Sequence, residues 1–461
     1  MSDFFRMFDL YKSMNSLNRD ILRLTIPTIV SNVTIPLLGI CDTAISGHLG
    51  SDLFLSSIAV GSVMLNVVFW IFGFLRGGTT GLTANALGRG SENDIAKVLY
   101  RALTIAFMAG ALLIIFQNPI FNGLWWIAGG SDDIKAFVLD YFIIRVWGSP
   151  ALLAVIAISG WFVGMQTTFY PMLIAIVTNI VNIVMSYLLA FEFGFGFNGV
   201  AIGTLISNWF GLLVAFGCML WFLKGKWLRC SFSNLIKGNW WRYFSVNGNL
   251  FLRSLFIICV TMGVTAAGAR ISNLTLAVNV IVMQFFQFFS FFIEGFAYSG
   301  EALVGLRCGE RNFVLLNKCV TRLLQWTLVM SLVFSLIYFL QLETIASLLT
   351  DSSTVVDGVT DLTLWVTLIP IISCWSFIYD GFYVGITDTF KMMISTLLGG
   401  IMFFLILWLG QIDSIMLPLE GNQMIWTAFL SYLLVRGVFL AIMWSKTVRG
   451  ISSPAQIPNA L

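Results

Sequence analysis

Charge is what this sequence lacks. Only 10% of its 461 residues are Asp, Glu, Lys or Arg, where a soluble globular chain carries about a quarter. With 58% hydrophobic residues and a mean hydropathy of +0.91, too few polar side chains exist to cover a water-facing surface. That excludes a soluble enzyme. The same composition excludes a nucleic-acid binder, and a net charge of only +3 is too small to suggest a polyanionic partner. Histidine is nearly missing: His48 stands alone, so a catalytic His–acid or nucleophile–base pair has nothing to draw on. The seven cysteines, Cys41, Cys218, Cys230, Cys259, Cys308, Cys319 and Cys374, form no CxxC pair. No zinc or haem site and no disulfide framework is expected, and neither metal nor cofactor. Asp3, Arg6, Asp9, Lys12, Arg19 and Asp20 interrupt the first twenty residues, where a secretory signal would place an apolar core. The N-terminus is therefore expected to stay in the cytoplasm.

What the chain has instead is a succession of long apolar runs. A membrane-crossing helix needs about 20 such residues. Runs bounded by charged breaks fall near 22–47, 53–75, 98–118, 138–163, 171–191, 198–223, 247–269, 274–299, 319–341, 362–385, 392–411 and 423–445. Lipid offers backbone groups no hydrogen bonds, so each run is expected to be helical, giving an all-α polytopic protein of twelve spans. Starting inside, this count puts every Lys and Arg on the cytoplasmic side except Lys135, Arg145, Arg253 and Arg270. The opposite loops carry Asp52, Asp132, Asp133, Glu192, Glu343, Asp351, Asp357, Asp413 and Glu420. The alternation obeys the positive-inside rule, and with an even span count both termini are cytoplasmic.

The chain also repeats itself. Gly160, Val163, Gly164, Thr168 and Phe169 recur as Gly381, Val384, Gly385, Thr389 and Phe390, an offset of 221. The same offset carries Met172 to Met393, Leu82 to Leu303, Gly88 to Gly309 and Gly47 to Gly268. Two six-helix lobes are therefore expected, 1–223 and 246–461, joined by a basic cytoplasmic linker at 224–245. Six is even, so both lobes enter from one side, as parallel repeats about an axis along the membrane normal do. A cleft between such lobes would be the natural place for a substrate.

Polar side chains inside the spans are costly and mark function or packing. Thr178, Asn179, Asn182 and Ser186 share a face of the fifth span, and Thr204, Ser207 and Asn208 share one of the sixth. Asn32, Gly39 and Asp42 share a face of the first. Asp42 and Thr204 each lie about 9 Å below the outer ends of their spans at 1.5 Å per residue, close to Asn182 and Ser186 in depth. Asp42 is a mid-span carboxyl without a local cation, hence the leading functional candidate. The second lobe carries Gln287, Ser290, Glu294 and Glu301 on one span, Ser373, Ser376, Asp380 and Tyr383 on another, and Arg253 on a third. Arg253, Glu294 and Asp380 all lie near inner ends, where Arg253 is expected to pair with Asp380 or Glu294 rather than leave charges buried alone. Pro27 and Pro36 remove backbone bonds within the first span and make it a candidate for bending.

The segment 36–50, PLLGxxDTAxxGHLG, with Pro27, GLTANALG at 81–88, GFAYSGEAL at 295–303 and DGFYVG at 380–385, resembles the multidrug and toxic compound extrusion (MATE) family over nearly the whole chain. Within it the chain is similar to the DNA-damage-inducible F (DinF) branch. The resemblance implies a monomeric antiporter of the bacterial inner membrane that expels small lipophilic, often cationic compounds against H⁺ or Na⁺. It implies proton coupling through Asp42, with Asn182 and Thr204 as polar partners. The branch usually has a second acid four residues after that asparagine; here the position is Ser186. A lipid-linked oligosaccharide flippase of the wider superfamily is the alternative. Its phosphate would call for several buried Arg or Lys, and the spans offer Arg253 and Arg145.

Overall fold

The computed structural model describes residues 2–49, 51–128, 131–224, 240–410 and 421–452, all of them helical or in short connections. The expected linker falls mostly outside the described residues. The helices are α1 (Ser2–Gly47), α2 (Asp52–Ile71), α3 (Phe74–Gly88), α4 (Glu92–Ile115), α5 (Gln117–Ala128), α6 (Asp132–Val146), α7 (Ser149–Gly164), α8 (Phe169–Tyr187) and α9 (Gly196–Phe222). They continue as α10 (Trp240–Ile271), α11 (Asn273–Gly309), α12 (Phe313–Leu349), α13 (Ser353–Thr360), α14 (Thr363–Gly385), α15 (Thr389–Leu409) and α16 (Asn422–Ser452). A π-helical turn, Leu188–Glu192, ends α8.

Eleven described helices are long and apolar enough to cross a membrane, and twelve spans result if one bent pair counts as a single span. The chain is a multi-pass membrane protein. The bent pair is α6 and α7, which meet at 50°, so the span expected near 138–163 is a broken one. At Trp147 and Gly148 the indole Nε1 of Trp209 donates to the Trp147 carbonyl at 3.2 Å, so a neighbouring helix satisfies a backbone group freed by the break. The second span runs on to Gly88 through a short interruption after Ile71, and α11 and α12 reach 37 residues each. Hydropathy locates the lipid-crossing window. A helix continues beyond it because its backbone bonds are internal.

The chain divides into two compact units, one of residues 26–240 and one of 1–25 with 241–452 among those described. The division falls inside α1, just before Pro27. In the latter unit the start of α1 packs on α11 and α12: Thr25 Oγ1 and Ser299 Oγ lie 2.7 Å apart, and Trp326 Nε1 donates to Asn18 Oδ1 at 3.2 Å. Each unit has an aromatic-rich core. Trp161, Phe162, Tyr141 and Phe121 are fully buried in one, and Phe289, Phe296, Tyr338 and Trp426 in the other.

The repeat reappears in the packing. α7 crosses α3 where an added Cβ on Gly160 would sit 2.4 Å from the Arg76 carbonyl. α14 crosses α11 where one on Gly381 would sit 2.3 Å from the Ala297 carbonyl. Both helices then end in the same turn. Gln166 (φ 64°) and Thr387 (φ 61°) are left-handed, and the following amides, Thr167 and Asp388, bond back to Phe162 and Tyr383 at 3.1 and 3.0 Å. Non-glycine residues adopt such a φ at a cost of about 1–2 kcal/mol. Finding it at both copies shows that the fold imposes the turn.

Candidate functional site

In the unit of residues 26–240, α8 and α9 lie against each other so closely that a Cβ on Gly203 would meet Ser186 at 2.6 Å. Only small residues allow that approach, and it brings the two polar faces into register. Asn182, 2% exposed, donates from Nδ2 to Thr204 Oγ1 at 3.1 Å and to Ser207 Oγ at 3.2 Å. The two hydroxyls pass their own protons to the carbonyls of Val200 and Thr204. Ser186 Oγ reaches the Val200 carbonyl at a long 3.5 Å. Asn179 bonds across to α1, its Nδ2 lying 2.9 Å from Thr34 Oγ1. Asn32 is buried on α1.

The expected partnership of Asn182 with the carboxyl of Asp42 does not form. The amide is satisfied by α9, while its Oδ1 is buried without a hydrogen bond, as is Asp42 Oδ1. Arg145 stands in the last turn of α6. Arg145 donates from Nη1 to Tyr141 Oη at 2.5 Å and lies 5.3 Å from the centroid of that ring. Tyr141 Oη in turn contacts Ser62 Oγ at 3.0 Å. One turn of helix places Arg145 over Tyr141, a relation legible as i, i+4.

In the other unit, Arg253 on α10 contacts Asp380 on α14 through a charged hydrogen bond. The sequence reading missed a third member. Arg436, counted with the cytoplasmic cations, is 4% exposed on α16; its Nη2 lies 2.6 Å from the same Asp380 oxygen and its Nη1 2.9 Å from Tyr432 Oη. The signal was there in LSYLLVRGVFLAIMW, a cation centred in an apolar run. Glu294 accepts from Tyr298 one turn later on α11 at 3.5 Å. Pro27 and Pro36 both sit inside α1, which remains one helix. Among the described residues, no group of three or more His, Cys, Asp or Glu could hold a metal ion.

Comparison with known proteins agrees with this architecture. A profile of the family MatE matches twice, over residues 27–188 and 250–409, close to the offset of the internal repeat. DNA damage-inducible protein F of Escherichia coli K12 is 31% identical over 438 residues, covering 94% of this chain and 93% of that protein. The chloroplastic protein DETOXIFICATION 44 of Arabidopsis thaliana is 22% identical, covering 92% and 81%. Among solved structures, a Vibrio cholerae MATE transporter in its bent form superposes with a TM-score of 0.82 at 17% identity, covering 95% of this chain and 99% of that one. An outward-facing multidrug resistance MATE transporter gives 0.84 at 17%, covering 95% and 97%, which speaks for the fold. Two profile matches, one per half, and a relative of 31% identity along its length show that the chain belongs to the MatE family, whose members are membrane transporters rather than enzymes.

Proposed function

We propose that this protein is a multidrug efflux antiporter of the bacterial inner membrane. It exports small lipophilic cations in exchange for protons, with Asp42 as the coupling group and both termini in the cytoplasm. One observation carries the reading: a carboxyl on the first span of a transporter-family chain keeps an oxygen that is buried and accepts no hydrogen bond. An ionised Asp42 attracts a cationic compound arriving from inside. Protonation from the outer side removes that attraction and releases the compound outward. One carboxyl suffices for one proton, so the coupling needs neither a second acid at Ser186 nor a bound sodium. One proton for one monovalent cation moves no net charge. The membrane potential, worth about 2.3 kcal/mol per charge per 100 mV, then contributes nothing, and the pH gradient supplies the driving force. Asn179, Asn182, Ser186, Thr204 and Asn32 form the polar wall of the same site. Pro27 and Pro36 let α1 bend as the charge changes.

The triad Arg253–Asp380–Arg436 has a different role in this reading: it stiffens its own unit, and Glu294 lies outside it. A lipid-linked oligosaccharide flippase would need basic groups available to a phosphate, and both arginines of the triad are engaged by Asp380. In proteoliposomes with an imposed pH gradient, Asp42→Asn is expected to abolish efflux of a fluorescent lipophilic cation while the protein elutes as a folded monomer. Wild-type efflux from that variant would overturn the proposal.

A further inference from the structure

The Arg253–Asp380–Arg436 cluster sets two positive charges against one negative. Both guanidiniums hold the same carboxylate oxygen, Oδ2 of Asp380. Among the described residues neither arginine pairs with another acid. The further partner of Arg436, Tyr432, is a phenol. Nε of Arg253, Nε of Arg436 and Oδ1 of Asp380 stay buried without a hydrogen bond. Asp380 thus orients two cations and leaves one charge over. A buried charge without a counter-ion is expensive, so a single anion is the complement of this cluster.

An apolar groove of about 550 Å³ lies between α10 and α15 in the same unit. Phe256 and Val260 line it from α10, and Leu397, Gly400, Phe404 and Trp408 from α15. Towards the inner side the two helices meet where Thr389 Oγ1 donates to the Val246 carbonyl at 3.1 Å and lies 3.3 Å from Asn249 Nδ2. Within the groove, an added Cβ on Gly400 would lie 3.6 Å from Val260. Arg253 stands between these two contacts, one turn of α10 before Phe256. Arg436 reaches the same place from α16: a Cβ on Gly399, next to Gly400, would lie 3.1 Å from its Cγ. The two cations therefore stand at the inner end of the groove. The Arg253 side chain is 20% exposed and that of Arg436 5%, so the first can meet a ligand while the second adds charge from within.

We infer that this unit holds a binding site for a lipophilic monoanion, with its carboxylate or sulfonate against Arg253 and Arg436 and its apolar body in the groove between α10 and α15. Guanidiniums match such groups in shape as well as charge. The spare charge is one, so a diphosphate would remain uncompensated. The volume suits one drug-sized body. Asp380 lies five residues inside the end of α14, about 8 Å at 1.5 Å per residue. That depth is below the headgroups at the helix end and favours a free amphiphile over a bilayer lipid. The site depends on the geometry of this unit alone and not on Asp42.

The test titrates anilinonaphthalene sulfonate, a lipophilic monoanion, onto the full-length protein in phosphatidylcholine nanodiscs, with the signal of empty nanodiscs subtracted. Saturable binding is expected. Arg253→Gln should weaken it about tenfold, the scale of one partly screened charge interaction, and Arg253→Lys should keep most of it. Gly400→Leu fills the groove without touching the charges and should also weaken binding; it answers the question should Arg253→Gln fail to fold. Anilinonaphthalene, the same rings without the sulfonate, should bind wild type and Arg253→Gln alike. No saturable binding, equal binding of the sulfonate to wild type and both weakening variants, or a loss in Arg253→Gln that the neutral probe shares would overturn the inference. Competition by phosphatidylglycerol in the nanodisc lipid, seen with wild type and absent in Arg253→Gln, would make a bilayer lipid the occupant and overturn the assignment to a free amphiphile.

Discussion

The two halves share a skeleton and differ in their charges. Gly160 and Gly381 make the same close helix crossing, and Gln166 and Thr387 make the same left-handed turn, at one offset of 221. At that offset Asp42 corresponds to Gly263, Arg145 to Val366 and Asn182 to Phe403. In the other direction, Arg253 corresponds to Asn32 and Asp380 to Ser159. In the first half Asp42 thus keeps a buried oxygen without a hydrogen bond. The second half gathers one carboxylate between two guanidiniums, Arg253 and Arg436. A duplicated scaffold keeps the backbone contacts that any copy needs to fold. Charged positions are free to diverge, because each buried charge must find its partner only within its own unit. A carboxyl outside any such cluster suits a site that must bind and release. A carboxylate held between two guanidiniums suits a support.

That contrast can be broken by experiment. The largest effect should come from Asp380→Asn, which leaves two arginines facing each other at a site where the acid is 6% exposed. Removing one member of a buried ionic cluster costs about 3–5 kcal/mol, so thermal unfolding in detergent should shift down strongly. Asp42→Asn, which breaks no ion pair, should leave the melting temperature near wild type even as it abolishes transport. An Asp380→Asn protein with normal thermal stability would show that the triad is not a support.

The shared skeleton makes the next prediction. Gly160→Ala and Gly381→Ala each press a methyl against a carbonyl oxygen that belongs to a neighbouring helix backbone. Each should cost about 1–3 kcal/mol, and the two losses should be similar if the copies remain mechanically equivalent. A large loss at one and none at the other would mean that the crossings have diverged along with the charges.

The smallest effects separate the residues of the polar wall. Asn182→Ala removes both bonds to α9 and leaves the Thr204 and Ser207 hydroxyls to rearrange. Efflux should fall about fivefold or more, the equivalent of one net hydrogen bond. Ser186→Ala loses one long contact to a carbonyl and should lower efflux less than about twofold. Initial efflux rates at matched protein density give the ranking, and the reverse order would move the active face of α8 one turn towards Ser186.

Sequence alone determined the class, the spans and the repeat. Scarcity of charge forces a chain into lipid, lipid forces helices, and a constant offset survives in residues whose size the backbone dictates. It also marked Asp42, Asn182 and Thr204 as polar groups of one depth, because rise per residue converts position into depth directly. Pairing was another matter. Hydropathy counted Arg436 as a cytoplasmic cation, and only the approach of α16 to α14 delivers it to Asp380. Depth placed Asn182 level with Asp42, but the amide turned to α9, where close glycine packing offered two hydroxyls within reach. A partner is chosen by distances between helices, and these are fixed by the summed packing of many side chains rather than by the residues that meet.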